Sequence, residues 1–202
     1  MSARNNILSA LRARASSEQV APVEYQSGAG SADLEHCVAT FRARAADESA
    51  TTTVVDDQSG VAEEIGRYLS EQGLPEAVHA FGEAADIPGL QRRETELAAD
   101  GEVVVTGCFA GIAEAGAVVL VSTAGYPAQN HFLARTHIVV LPAAKLVPDY
   151  ESLWSRTREV FAEGWPRMMN WIVGPSRTAD LGVPSRLGAH GPARVHVVIV
   201  LN

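Results

Sequence analysis

Two cysteines, Cys37 and Cys108, are all that this chain of 202 residues contains. They form no Cys-x-x-Cys spacing, so the chain alone is expected to hold neither an iron–sulfur cluster nor a thiolate zinc site. One disulfide between them is open in principle, but two cysteines make no framework. No apolar run reaches the 18 or so residues of a membrane helix, and the N-terminus lacks the apolar core of a secretory leader. Its arginines Arg4, Arg12 and Arg14, with no acid before Glu18, fit a surface helix better than a targeting segment. Lysine is nearly missing: Lys145 stands alone among 16 basic residues. The net charge of −8 leaves no basic footprint for nucleic acid. No histidine pair has helical ligand spacing with a carboxylate, so neither a metal nor another cofactor is expected. What remains is a globular chain, 47% hydrophobic and 20% charged, read as cytoplasmic and long enough to bury its own core.

Strand and helix patterns alternate along most of the sequence. Ile7, Leu8 and Leu11 fall on one face of a first helix after Ser2. Residues 18–30 read as a linker, and a second helix runs from Ser31 or Ala32 to Ala46 through Leu34, Val38 and Phe41. A strand is expected near Thr51–Val55, then an amphipathic helix Val61–Gln72 stopped by Gly73 and Pro75. Further strands fall at 77–81, 103–105, 117–122, 138–141, 168–173 and 195–201, with a helix from Pro148–Asp149 to about Ala162. Residues 82–100 carry little pattern, and Ile112–Ala115 reads as a turn. The central strands are continuous β-branched runs, which predicts an α/β fold with a mostly parallel sheet and helices on both faces.

Two polar segments stand out. The first is Gly174-Pro175-Ser176-Arg177-Thr178-Ala179-Asp180, followed by Gly188-Ala189-His190-Gly191-Pro192. It lies between two strands, and strand ends are where open α/β sheets place ligands. Arg177 suits a bidentate clamp on a carboxylate or phosphate, with Ser176 and Thr178 adding hydrogen bonds. Local capping by Ser176, Thr178 and Asp180 is the plainer alternative. Gly-Pro-Ser-Arg-Thr is not a nucleophile elbow, so a serine hydrolase is disfavoured. The second segment, Thr106 to Ala117, has Gly107, Gly111 and Gly116, whose exposed amides suit an anion. Their spacing matches neither a dinucleotide fingerprint nor a Walker loop.

Glu114 is the one charged residue between Glu102 and Arg135. It reads either as half of an ion pair, for instance with Arg177, or as a carboxylate tuned for acid–base work. His190 reads equally as an acid–base group or as a turn cap. His137 and His196, within strands, read as structural. Cys108 is either a reactive thiol or a small buried side chain, with the second favoured. Trp154, Trp165 and Trp171 read as core or interface anchors.

Together the blocks TGCFAGIAEAGAVVL (106–120), THIVVLP (136–142), GPSRTAD (174–180) and GAHGPARVHVVIV (188–200) resemble the lactate-utilisation protein C family, or LUD domain family. The resemblance covers roughly residues 50–202 and implies a fold akin to the sugar-phosphate isomerase and coenzyme A-transferase group. It divides the chain into an N-terminal helical arm, 1–48, and a LUD-like α/β domain, 49–202. It also implies a part in oxidising L-lactate to pyruvate, beside iron–sulfur partner proteins, with a small anionic metabolite bound. The site positions it suggests are Thr106, Gly107, Glu114, Gly116, Gly174, Ser176, Arg177, Thr178, Asp180, His190 and Gly191. Three departures weaken a shared mechanism: Ala115 and Ala117 replace threonines, and Gly182 replaces a glutamate. Two further readings stay open. One is an isomerase or acyl-transfer enzyme with Glu114 as base or nucleophile; the other is a non-catalytic assembly subunit. All require residues 106–116, 174–180 and 188–192 to meet at one cavity.

Overall fold

The computed structural model describes residues 3–14, 33–93, 102–123, 127–178 and 186–202. Five strands form a wholly parallel sheet: β1 (Thr51–Val55), β2 (His79–Phe81), β3 (Val103–Thr106), β6 (Thr136–Pro142) and β11 (Arg194–Val200). Their order across the sheet is β1-β11-β6-β3-β2. Alternation along β6 shows why these strands read as continuous apolar runs. Ile138 and Val140 face one side and Val139 and Leu141 the other, and both sides are covered.

Helix α3 (Val61–Glu71) covers one face with Val61, Ile65 and Leu69. On the other face lies α2 (Leu34–Asp47), whose Asp33 side chain accepts the His36 amide at 3.2 Å and so starts the helix. Cys37, Phe41 and Ala45 of α2 pack against Val139, Leu141, Val197 and Ile199. Phe41 has no exposed surface, a burial that contributes roughly 2–3 kcal/mol. The second helix thus packs its buried face into the same core as the parallel sheet. Helix α1 (Ala3–Arg14) leaves Ile7 and Leu11 each 61% exposed.

A second, four-stranded sheet was not anticipated. Its order is β7 (Leu146–Val147), β4 (Ala110–Ile112), β5 (Ala117–Val121) and β8 (Met169–Ile172). Here β5 runs antiparallel to both β4 and β8. Val118, Leu120 and Ile172 join the α2 side of the core. On the reverse, Ala110, Ile112, Ala117 and Val119 pack against Leu153 of α5 (Tyr150–Val160). The layers thus run α3, parallel sheet, α2 with the second sheet, then α5. A short α4 (Asn130–Leu133) and the pair β9 (Arg177–Thr178) and β10 (Arg186–Leu187) complete the described elements. Among the described residues, no helix is long and apolar enough to cross a membrane.

Candidate functional site

Adjacent strands β2 and β3 deliver the chain to opposite faces. After Phe81 it turns toward α3, where Ala84 and Ile87 are buried. After Thr106 it turns toward α2 and the second sheet, where Cys108 is buried. Such a divergence at the carboxyl ends of parallel strands is where open α/β sheets form their ligand crevice. A cleft of about 310 Å³ lies there. Phe81, Phe109, Leu120, Val121 and Val160 supply apolar wall, and Lys145 and Arg156 supply positive charge.

Lys145 arrives from a single turn after β6. Its Nζ donates to Glu83 Oε2 at 2.6 Å and to the Cys108 carbonyl at 3.1 Å. The Arg156 guanidinium projects from α5, its Cζ 5.7 Å from the centre of the Phe109 ring. Its Nη1 donates to the Ala144 carbonyl at 3.4 Å, while Nε is buried with no hydrogen-bond partner among the described residues. Two cations therefore flank the turn 143–145. Among the described residues, Glu83, on the exposed rim, is the one carboxylate lining the cleft.

Thr106 is buried at the cleft, its Oγ1 2.9 Å from Nε2 of His137. Burial pushes the His137 imidazole down to about 3, with His131 nearby adding to the shift, so the ring is neutral near pH 7. A Cβ on Gly107 would lie 3.1 Å from Glu83 Oε2, so the small residue leaves room for that carboxylate to reach Lys145. Cys108 and Cys37 are both buried and are not joined in a disulfide. Burial pushes the Cys108 thiol up to about 12, and its Sγ donates to the Val140 carbonyl at 3.6 Å. This is a packing cysteine, without the thiolate a nucleophile needs.

Of the other expected site residues, Gly116, Gly174, Ser176, Arg177, Thr178, His190 and Gly191 sit toward the opposite edge, by the amino ends of β1, β6 and β11. The Ser176 amide donates to the Pro192 carbonyl at 2.8 Å, and the Ala193 amide to Arg135 at 2.8 Å. Arg177 is exposed and donates to the hydroxyl of Ser49, just before β1. Gly191 packs on Ser176, with 3.3 Å left for a Cβ. Gly116 and Gly174 both press on the last turn of α2 and the residue after it. That surroundings argues against an anion, because the carboxyl end of a helix carries partial negative charge and favours a cation such as Arg177. Thr178 pairs with Arg186 in the β9–β10 ribbon. His190 is exposed beside a separate cleft of about 510 Å³ that also holds Arg135 and Gly191. Asp180 and Gly182 lie outside the described residues.

Glu114 is neither half of an ion pair with Arg177 nor a lining residue of either cleft. Its Oε1 accepts the Tyr150 amide at 2.9 Å, satisfying a free donor at the start of α5. Asp149 caps the same helix through the Ser152 amide at 2.8 Å. The expected residues that are described thus divide instead of meeting at one cavity: Thr106 and Gly107 at the carboxyl edge, Glu114 in the β4–β5 turn against the start of α5, and the others by the amino edge. The reason is topological. The β4–β5 hairpin carries residues 110–121 out of the parallel sheet, returning Gly116 to the carboxyl end of α2. Lys145 and Arg156 are the cleft residues that sequence reasoning passed over. The available signal was the chain's sole lysine, placed three residues beyond a parallel strand.

Comparison with known proteins adds a family. The LUD domain profile matches residues 33–200. "Lactate utilization protein C" of Geobacillus kaustophilus is 30% identical over 117 residues, covering 57% of this chain and 49% of that protein. The protein of the same name from Halalkalibacterium halodurans is 32% identical over 113 residues, covering 54% and 48%. The chain spans about half the length of the curated relatives it matches. A crystal structure of a DUF162 family protein from Deinococcus radiodurans superimposes with a TM-score of 0.60 at 20% identity, over 83% of this chain and 98% of that one. That likeness shows the α/β fold.

Proposed function

The chain belongs to the LUD domain family, and from that membership we propose that it serves lactate utilisation by binding an organic anion in the cleft between β2 and β3. The single observation that carries this reading is that Lys145 and Arg156 both line the crevice of a parallel sheet. Most charged side chains lie where water screens them. These two sit against apolar walls, where a carboxylate gains more from each charge-assisted bond. Arg177, the clamp expected from sequence, already serves Ser49 beside a helix carboxyl end. The names of the relatives supply the metabolic setting, and the cleft supplies the binding chemistry. In this reading Glu114 holds α5 in place and takes no part in proton transfer.

A strain lacking the chain tests this. Wild type should restore growth on L-lactate, Arg177→Ala should restore it as well, and Lys145→Met should not. Restoration by Lys145→Met with failure of Arg177→Ala would move the anion to the opposite edge.

A second reading, docking to an iron–sulfur partner, has its own observation. Tyr150, Trp154, Trp165 and Trp171 form a ring cluster, with neighbouring centroids 5.3–6.3 Å apart. Trp165 is 58% and Trp171 39% exposed, and Trp171 lies on β8, an edge strand of the second sheet. Aromatic residues of this kind anchor interfaces. If docking dominates, Trp165→Ser with Trp171→Ser should abolish complementation while anion binding by the purified protein is unchanged.

A further inference from the structure

The cleft is larger and more apolar than lactate alone would fill. Lactate displaces about as much space as three or four liquid waters, roughly 100 Å³, against a cleft of about 310 Å³. A three-carbon acid held by Lys145 would leave roughly two-thirds of that space unfilled. The unfilled part is bounded by Phe81, Phe109, Leu120, Val121 and Val160, none of which can hydrogen-bond to trapped water through its side chain. Ligand sites with such lining bury an apolar body and use a few polar groups for orientation.

The charged end is defined as closely. Lys145 and Arg156 flank one turn, and the buried Arg156 Nε has no acceptor among the described residues. The guanidinium lines the cleft over the Phe109 ring, and its Nη1 makes only a long 3.4 Å bond to the Ala144 carbonyl, so a carboxylate at the cleft gains a second cation beside Lys145. Lys145 is meanwhile held by Glu83, a rim carboxylate that is 70% exposed. An exposed side chain of this kind is held only weakly, so it can be displaced by a better-placed carboxylate.

Resting on the anion reading above, we infer that the cleft takes a carboxylate with an aryl or medium-chain acyl body, its head on Lys145 and Arg156 and its body against Phe81, Phe109 and Leu120. Glu83 occupies the head position when the cleft is empty. Binding of the acid therefore competes with an internal carboxylate of the same charge.

Calorimetry on the full chain with 3-phenyllactate, octanoate, L-lactate and acetate tests this. Phenyllactate and octanoate should bind at least tenfold more tightly than lactate. Lys145→Met should lower their affinity by at least tenfold, and Glu83→Gln should raise it several-fold by freeing the lysine. Lactate binding as tightly as the larger acids would overturn the inference and leave the anion reading standing. Equal affinities in wild type and Lys145→Met would place the acids elsewhere and overturn both, as would a failure of all four acids to bind wild type and Glu83→Gln. Circular dichroism of Lys145→Met separates lost binding from lost fold, and Glu83→Gln tests the head position without disturbing a buried group.

Discussion

Titration from pH 7 toward pH 4 should unfold the protein in one steep step. Three histidines drive it. Burial holds the His131 imidazole down at about 4, that of His137 at about 3 and that of His196 at about 4. Each folded value lies below the ordinary 6.5, so the unfolded chain takes up protons first. The stability these rings contribute is complete above about pH 6.5 and is lost as pH falls toward 4 to 3. pH 5 lies about 1.5 units below each ring's unfolded value and above its folded one, a loss of about 2 kcal/mol per ring at 1.36 kcal/mol per unit. Three such rings approach 6 kcal/mol, against a total stability of about 5–15 kcal/mol for a typical domain. Glu64, 3.8 Å from His196 Nε2, opposes part of the third shift. Urea midpoints at pH 7, 6 and 5 measure the slope, and His137→Gln should reduce it by about one third. A stability that stays flat from pH 7 to 5 would contradict the burial of all three rings as neutral groups.

These histidines show how much the sequence discloses and where it stops. His137 and His196 each interrupt a β-branched run, and a polar residue inside such a run must find a partner or stay neutral. Both do so: His137 meets Thr106, and His196 stacks on Tyr68 at 4.0 Å while contacting Thr51 Oγ1 at 2.8 Å. His131 gave no such sign, because α4 is a four-residue helix in a polar context; its Nδ1 meets Asn170 of β8 at 2.8 Å only through tertiary structure.

The parallel sheet was legible for the same reason as the strand histidines. Its strands are buried on both sides and lack alternation. Periodicity could not say that 117–121 and 169–172 belong to another sheet, since a buried strand looks alike in either. β4 was missed because Ala110-Gly111-Ile112 is too short and glycine-bearing to register. Charge was the poorest guide. Arg177 drew notice from its polar neighbours in the sequence, whereas Lys145 and Arg156 come together only through the turn after β6 and the face of α5.

Gly116→Ala should cost about 2–5 kcal/mol, the largest loss we expect from a single methyl group in this protein. Gly116 has φ +61°, a conformation that costs a residue with a Cβ roughly 1–2 kcal/mol. The added Cβ would also lie 2.4 Å from the Ala45 amide nitrogen and 2.7 Å from the Arg44 carbonyl carbon. Those atoms belong to helix backbone and cannot swing aside, so overpacking adds about 1–3 kcal/mol. Gly174→Ala meets the Glu48 carbonyl oxygen at 2.4 Å without the positive φ, and should cost about 1–3 kcal/mol. Thermal unfolding would register Gly116→Ala as a fall of roughly 4–20 °C. Both glycines were expected from sequence to offer amides to an anion. That role and a packing role part company in one measurement: a packing glycine lowers the melting temperature and leaves carboxylate affinity of the folded protein unchanged, whereas an amide donor does the reverse. The double variant should lose less than the sum of the two, because displacing the end of α2 for one methyl makes room for the other. A fully additive loss would mean that the two glycines press on α2 independently.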